Sequence, residues 1–137
     1  MEIPQIDRSS YLKGLLITAR KDNQLNDEEI SIIKKLSKSL GFSSDFFEET
    51  ISHLLENKYI TDEPIKFSNE KIARSFLEDG LRLALSDKVI TKSEIDWLRQ
   101  TAEINNIGKA WFNNKLEDLQ NKSNRIGVPD FALLSII

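Results

Sequence analysis

The residues best suited to chemistry are four acids. Asp22 and Glu29 stand seven positions apart in Asp22-Asn23-Gln24-Leu25-Asn26-Asp27-Glu28-Glu29, and 65 residues further on Asp87 and Glu94 stand in the same relation. Carboxylates are hard oxygen donors of the kind that hold magnesium, calcium or manganese. If the two stretches pack about a pseudo-twofold axis, all four converge into one divalent-cation site. A capping role competes. Glu29 and Glu94 each follow a candidate N-cap, Asn26 and Thr91, by three residues, so each can accept the backbone N–H of its own cap while Leu25 and Ile90 plug the turn. The spacing also matches the second half of an EF-hand loop, but two EF-hands are excluded. Loop positions one and three fall on Thr18 and Arg20, then on Leu83 and Leu85, and Asn23 and Lys88 replace the turn glycine.

Other chemistry is thinly represented. His53 is the only histidine, set among Leu54, Leu55 and Glu56, and reads as a surface or edge residue. The chain has no Cys, which removes disulfides, thiolate nucleophiles and Cys-ligated zinc, and accords with a reducing cytoplasm. Nothing resembles a nucleophile elbow, a P-loop or a two-His metal motif. No catalytic residue and no cofactor beyond the candidate cation emerge, and the chain reads as non-enzymatic. Its net charge of −3, with both signs interspersed, offers no broad basic surface for a nucleic-acid backbone. Met1 to Arg8 carries two acids and a Pro, unlike a signal peptide, and no stretch reaches the length of a membrane span. A cytoplasmic protein without membrane insertion is expected, with an unidentified protein partner, and a homo-oligomer is compatible.

Helices must position these acids. Tyr11, Leu12, Leu15, Leu16 and Ala19 recur at helical spacing, and the polar run Lys21 to Asn26 ends that helix. Asn26 then opens a second, with Asp27, Glu28 and Glu29 meeting the positive end of its dipole. Gly41 suits the left-handed residue that stops it, and Ser43 or Ser44 starts a third. After a link over residues 58–67, Ile72, Ala73, Phe76, Leu77, Leu81 and Ala84 line one stripe of a fourth helix, where Gly80 suggests a close helix contact. Thr91-Lys92-Ser93-Glu94 has the form of a capping box opening a fifth, and Trp111, Phe112, Leu116 and Leu119 mark a sixth. Apolar positions correspond across the 65-residue offset: Ile33 with Leu98, Phe42 with Ile107, Phe46-Phe47 with Trp111-Phe112, Ile51 with Leu116. The expected fold is an all-α bundle of six to seven helices, one domain over 1–137, built from pseudo-repeated modules at about 8–57 and 68–120 with an apolar tail at 121–137.

Two candidate contact surfaces stand out. Trp97 is adjacent to the inward-facing Leu98, so it is expected partly exposed, or else on a second packing face. Val128, Phe131, Leu133, Leu134, Ile136 and Ile137 make the tail unusually apolar, and it either folds back over the core or docks on another chain. Phe46, Phe47, Trp111 and Phe112 read as core.

The doubled pattern, Ala19 to Glu29 with Ile30, Leu36 and Leu40-Gly41-Phe42, then Ala84 to Ile95 with Ala102 and Ile107, resembles the TerB-like family. That is the tellurite-resistance-associated helical domain, itself similar to the N-terminal part of some membrane-anchored J-domain co-chaperones. The resemblance spans most of Tyr11 to Leu119. It implies an all-α domain of paired helical modules and a metal-binding or stress-related role carried by Asp22, Glu29, Asp87 and Glu94. Members often place Gly directly after the Asp, where this chain has Asn23 and Lys88; the lysine charge makes the first copy the better cation site.

Overall fold

The computed structural model describes residues 2–20, 27–56 (side chains through 53), 63–85, 91–121 and 131–136. Among these it contains seven helices and no strand: α1 (Gln5–Arg20), α2 (Asp27–Ser39), α3 (Ser44–Glu56), α4 (Glu70–Leu85), α5 (Lys92–Ile104), α6 (Lys109–Asn121) and α7 (Leu133–Ile136). The lengths run 16, 13, 13 for the first three and 16, 13, 13 for the next three. Each of α4, α5 and α6 begins 65 residues after its counterpart.

At the centre α1 packs on α4. Both helices are buried on nearly every side: Tyr11, Leu12, Leu15, Leu16 and Ile17 in α1, and Ile72, Phe76, Leu77, Leu81 and Leu83 in α4, are each at most 2% exposed. Both helices also carry charged residues, and it is their wide apolar faces that other elements must enclose. Here α2 covers α1, while α5, α6 and α7 cover α4. Burying each large aliphatic or aromatic side chain contributes roughly 1.5–3 kcal/mol, so this pair dominates the core.

Close approach at the centre depends on two glycines. A Cβ on Gly14 would lie 2.5 Å from the Phe76 ring, and one on Gly80 would lie 2.6 Å from Leu98. The expected close contact at Gly80 is thus present. Two hydroxyls within the core are paired locally. The Thr18 hydroxyl donates to the Gly14 carbonyl at 2.9 Å and that of Thr101 to the Trp97 carbonyl at 3.0 Å, each bonding one turn back.

The segment before α4 is held from both sides. Asp7, 2% exposed, accepts from the Ser68 backbone N–H at 3.0 Å and from the Ser68 hydroxyl, while Asn69 Oδ1 caps α4 by accepting from the Ile72 N–H at 2.8 Å. Asn105 completes the clamp. Its Oδ1 accepts from the Phe67 N–H at 2.8 Å and its Nδ2 donates to the Ile65 carbonyl at 2.7 Å.

Candidate functional site

The acidic corners come first. Glu94 is 1% exposed, and its Oε1 accepts from the Thr91 backbone N–H at 3.2 Å and from the Thr91 hydroxyl at 2.9 Å. The Thr91 oxygen in turn accepts from the Glu94 N–H at 3.2 Å, which closes a reciprocal capping box. Glu29, also 1% exposed, occupies the first turn of α2. Asp22 and Asp87, with Leu25, Asn26 and Ile90, lie outside the described residues. Among the described residues no three His, Asp or Glu side chains are grouped to hold a metal ion.

Trp97 corrects the expectation of an exposed contact. It is 3% exposed, with its ring edge-on to Phe76 at 6.1 Å. The physical reason is that α5 is covered on more than one side, packing against α4, α6 and α1, so the adjacent Trp97 and Leu98 are both enclosed. His53 is on the surface as expected, near Glu49 at 3.8 Å.

Residues 131–136 fold onto the chain's own core. Phe131, Leu133 and Ile136 are 1%, 0% and 8% exposed and join the core, so of the two expectations for the tail these three follow the fold-back, which corrects their place on a docking surface. Leu134 faces outward, and Val128 and Ile137 lie outside the described residues. What holds the tail is a residue that the sequence reading passed over. Asp79, fully buried in α4, accepts from the backbone N–H groups of Ala132 and, at 3.0 Å, Leu133; it also accepts from the Tyr11 hydroxyl and lies 3.3 Å from Arg82 Nη1. Tyr11 lies 2.9 Å from the Ser75 hydroxyl as well. One carboxylate therefore joins α1, α4 and the start of α7. Burial pushes the Asp79 carboxyl up to about 6 against the opposing pull of its hydrogen bonds, and burial with the neighbouring Asp79 charge pushes the Tyr11 phenol well above its ordinary value. The signal in the sequence was an acid three residues after Phe76 on an otherwise apolar stripe.

An open arrangement lies between α2 and α3. A cleft of about 180 Å³ is walled by Phe42, Phe47 and Ser37, with Lys34, Lys35 and Lys38 at its edge and Ser43 and Ser44, at the start of α3, closing one end. Beside it Phe46 is 45% exposed and stacks on Phe42 with ring centres 4.9 Å apart and planes 18° from parallel. Phe46 is therefore not core. The corresponding ring of α6, Trp111, is half-buried under two cations, Arg74 at 5.7 Å and Lys115 at 5.6 Å.

No family model, curated protein or solved structure matches this chain. No described helix is long and apolar enough to cross a membrane.

Proposed function

We propose that the chain is a non-enzymatic, cytoplasmic, TerB-like helical module that acts in a stress response through protein contacts, and that the α2–α3 face makes those contacts. The observation that carries this reading is Phe46, an aromatic ring held in the open by a stacked neighbour beside an apolar cleft. Aromatic residues are enriched where proteins bind one another, because they bury large area at a small entropic cost. The equal helix lengths on either side of the link support the two-module, TerB-like reading.

The test is recovery of partners by the tagged full-length chain from its native cells, measured by quantitative mass spectrometry for the wild type and Phe46→Ser. The expected result is a protein retained near stoichiometrically by the wild type and lost from a variant with an unchanged unfolding midpoint. Equal recovery by both chains, or no retained protein, would overturn the reading.

A further inference from the structure

We propose that the α2–α3 cleft binds a short acidic segment of a partner protein, seating one apolar side chain against Phe42 and Phe47 and its carboxylates on Lys35 and Lys38. The proposal rests on the interaction reading above and names the chemistry of the partner.

Size argues for a side chain. At about 180 Å³ the cleft falls below the roughly 300–1,000 Å³ of sites that enclose whole small molecules. Phe42, half-buried, gives it an apolar wall that a leucine, isoleucine or phenylalanine side chain would cover, with the enclosed Phe47 behind it.

Charge argues for an acidic segment. Lys34 is engaged with Glu48 at 3.0 Å, whereas Lys35 and Lys38 have no ion pair among the described residues. The start of α3 adds the positive end of a helix dipole at Ser43 and Ser44. Asp45, the acid in that first turn, does not line the cleft. Complementary charge both steers such a segment and fixes its register.

The third observation is a buried hydroxyl with no partner. Ser37 is 1% exposed, stands in the cleft wall, and its Oγ makes no hydrogen bond. Buried hydroxyls are nearly always bonded, because leaving one unpaired costs free energy. The turn itself does not require it. In the second hairpin the residue 65 positions on is Ala102, 2% exposed, and its carbonyl accepts from the Ile107 N–H at 2.9 Å just as the Ser37 carbonyl accepts from the Phe42 N–H at 3.1 Å. The lysines differ in the same way, since Gln100 and Glu103 occupy the positions of Lys35 and Lys38. The hydroxyl and the two cations are thus confined to the hairpin with the cleft. The Ser37 oxygen is closed to solvent in this structure, so a carboxylate or peptide carbonyl of the bound segment would accept from it once Phe42 and Phe47 part to admit the seated side chain.

The experiment is amide chemical-shift mapping of the full chain, titrated with synthetic peptides that place Leu, Phe or Gly between flanking Asp and Glu, or Leu between flanking Lys. Acidic peptides centred on Leu or Phe should give saturable shifts confined to residues 34–47. The Gly-centred and Lys-flanked peptides should bind at least about tenfold more weakly. The double variant Lys35→Glu, Lys38→Glu should lose the acidic peptides, and Ser37→Ala should weaken them by about tenfold while remaining folded. Shifts on α5 and α6 instead, indifference to flanking charge, no saturation at millimolar peptide, or binding only to a single-stranded oligonucleotide or inorganic phosphate would each overturn the proposal. If partner recovery still depends on Phe46 while the acidic peptides fail, the interaction reading stands and the partner chemistry falls.

Discussion

The two halves of the molecule use the same helix lengths for different ends, and the contrast is sharpest at the tenth residue of each central helix. In α1 that residue is Gly14, whose missing side chain admits the Phe76 ring; in α4 it is Asp79, whose carboxylate reaches out to hold the start of α7. The missing side chain brings two helices together, and the carboxylate fastens the start of α7. The hairpins differ as well. Both α2–α3 and α5–α6 turn on a left-handed residue, Gly41 with φ 95° and Asn106 with φ 58°. The α5–α6 hairpin packs on α4 and has Ala102 where the other has Ser37, whereas the α2–α3 hairpin is covered mainly by α1 and keeps an unpaired hydroxyl beside lysines.

The largest effect should come from removing the fastening. Asp79→Ala leaves the Ala132 and Leu133 N–H groups without their acceptor and should lower stability by about 3 kcal/mol in denaturant unfolding. Tail amides should then lose hydrogen-exchange protection before those of α1.

A change of similar size should follow pH. Because the Asp79 carboxyl rises from 3.8 to about 6 on folding, the native state binds more protons than the unfolded state between those values. Its contribution is complete below the unfolded value and is lost as pH rises through about 6, a total of about 3 kcal/mol. Asp79→Asn should flatten this part of the stability profile, measured as the difference from wild type between pH 4 and 8.

Filling the other position should cost less. Gly14→Ala gains about 1 kcal/mol of helix propensity but drives a methyl group into Phe76. A net loss of about 1–2 kcal/mol is expected in thermal or denaturant unfolding. Thr91→Ala should cost about 1 kcal/mol through the lost cap of α5, with calorimetric metal titrations giving the same heats as wild type if Glu94 serves capping.

Much of this fold was legible because helices announce themselves by period and punctuation. The stripe from Ile72 to Ala84, the stop at Gly41 and the box at Thr91 and Glu94 were all local signals, and all three features are present. What escaped was set by tertiary contact. Asp79 gains its meaning only when α7 is seen to cover it, and the choice between a partly exposed Trp97 and one on a second packing face is made only when α1, α4 and α6 are seen to enclose α5. Phe46 failed in the opposite sense: its spacing with Phe47 fits a core face, but no described helix covers that side of α3. Ser37 carries no signal in the sequence, since only the packing of Phe42 and Phe47 around it shows that its hydroxyl is buried and unpaired.

The central claim is that the Ser37 hydroxyl serves binding at the expense of folding. Its most direct test is to measure unfolding free energy and acidic-peptide affinity on the same Ser37→Ala protein. A gain in stability of about 1 kcal/mol together with weaker peptide binding is predicted. A variant that is less stable, or that binds the peptide as well as wild type, would contradict it.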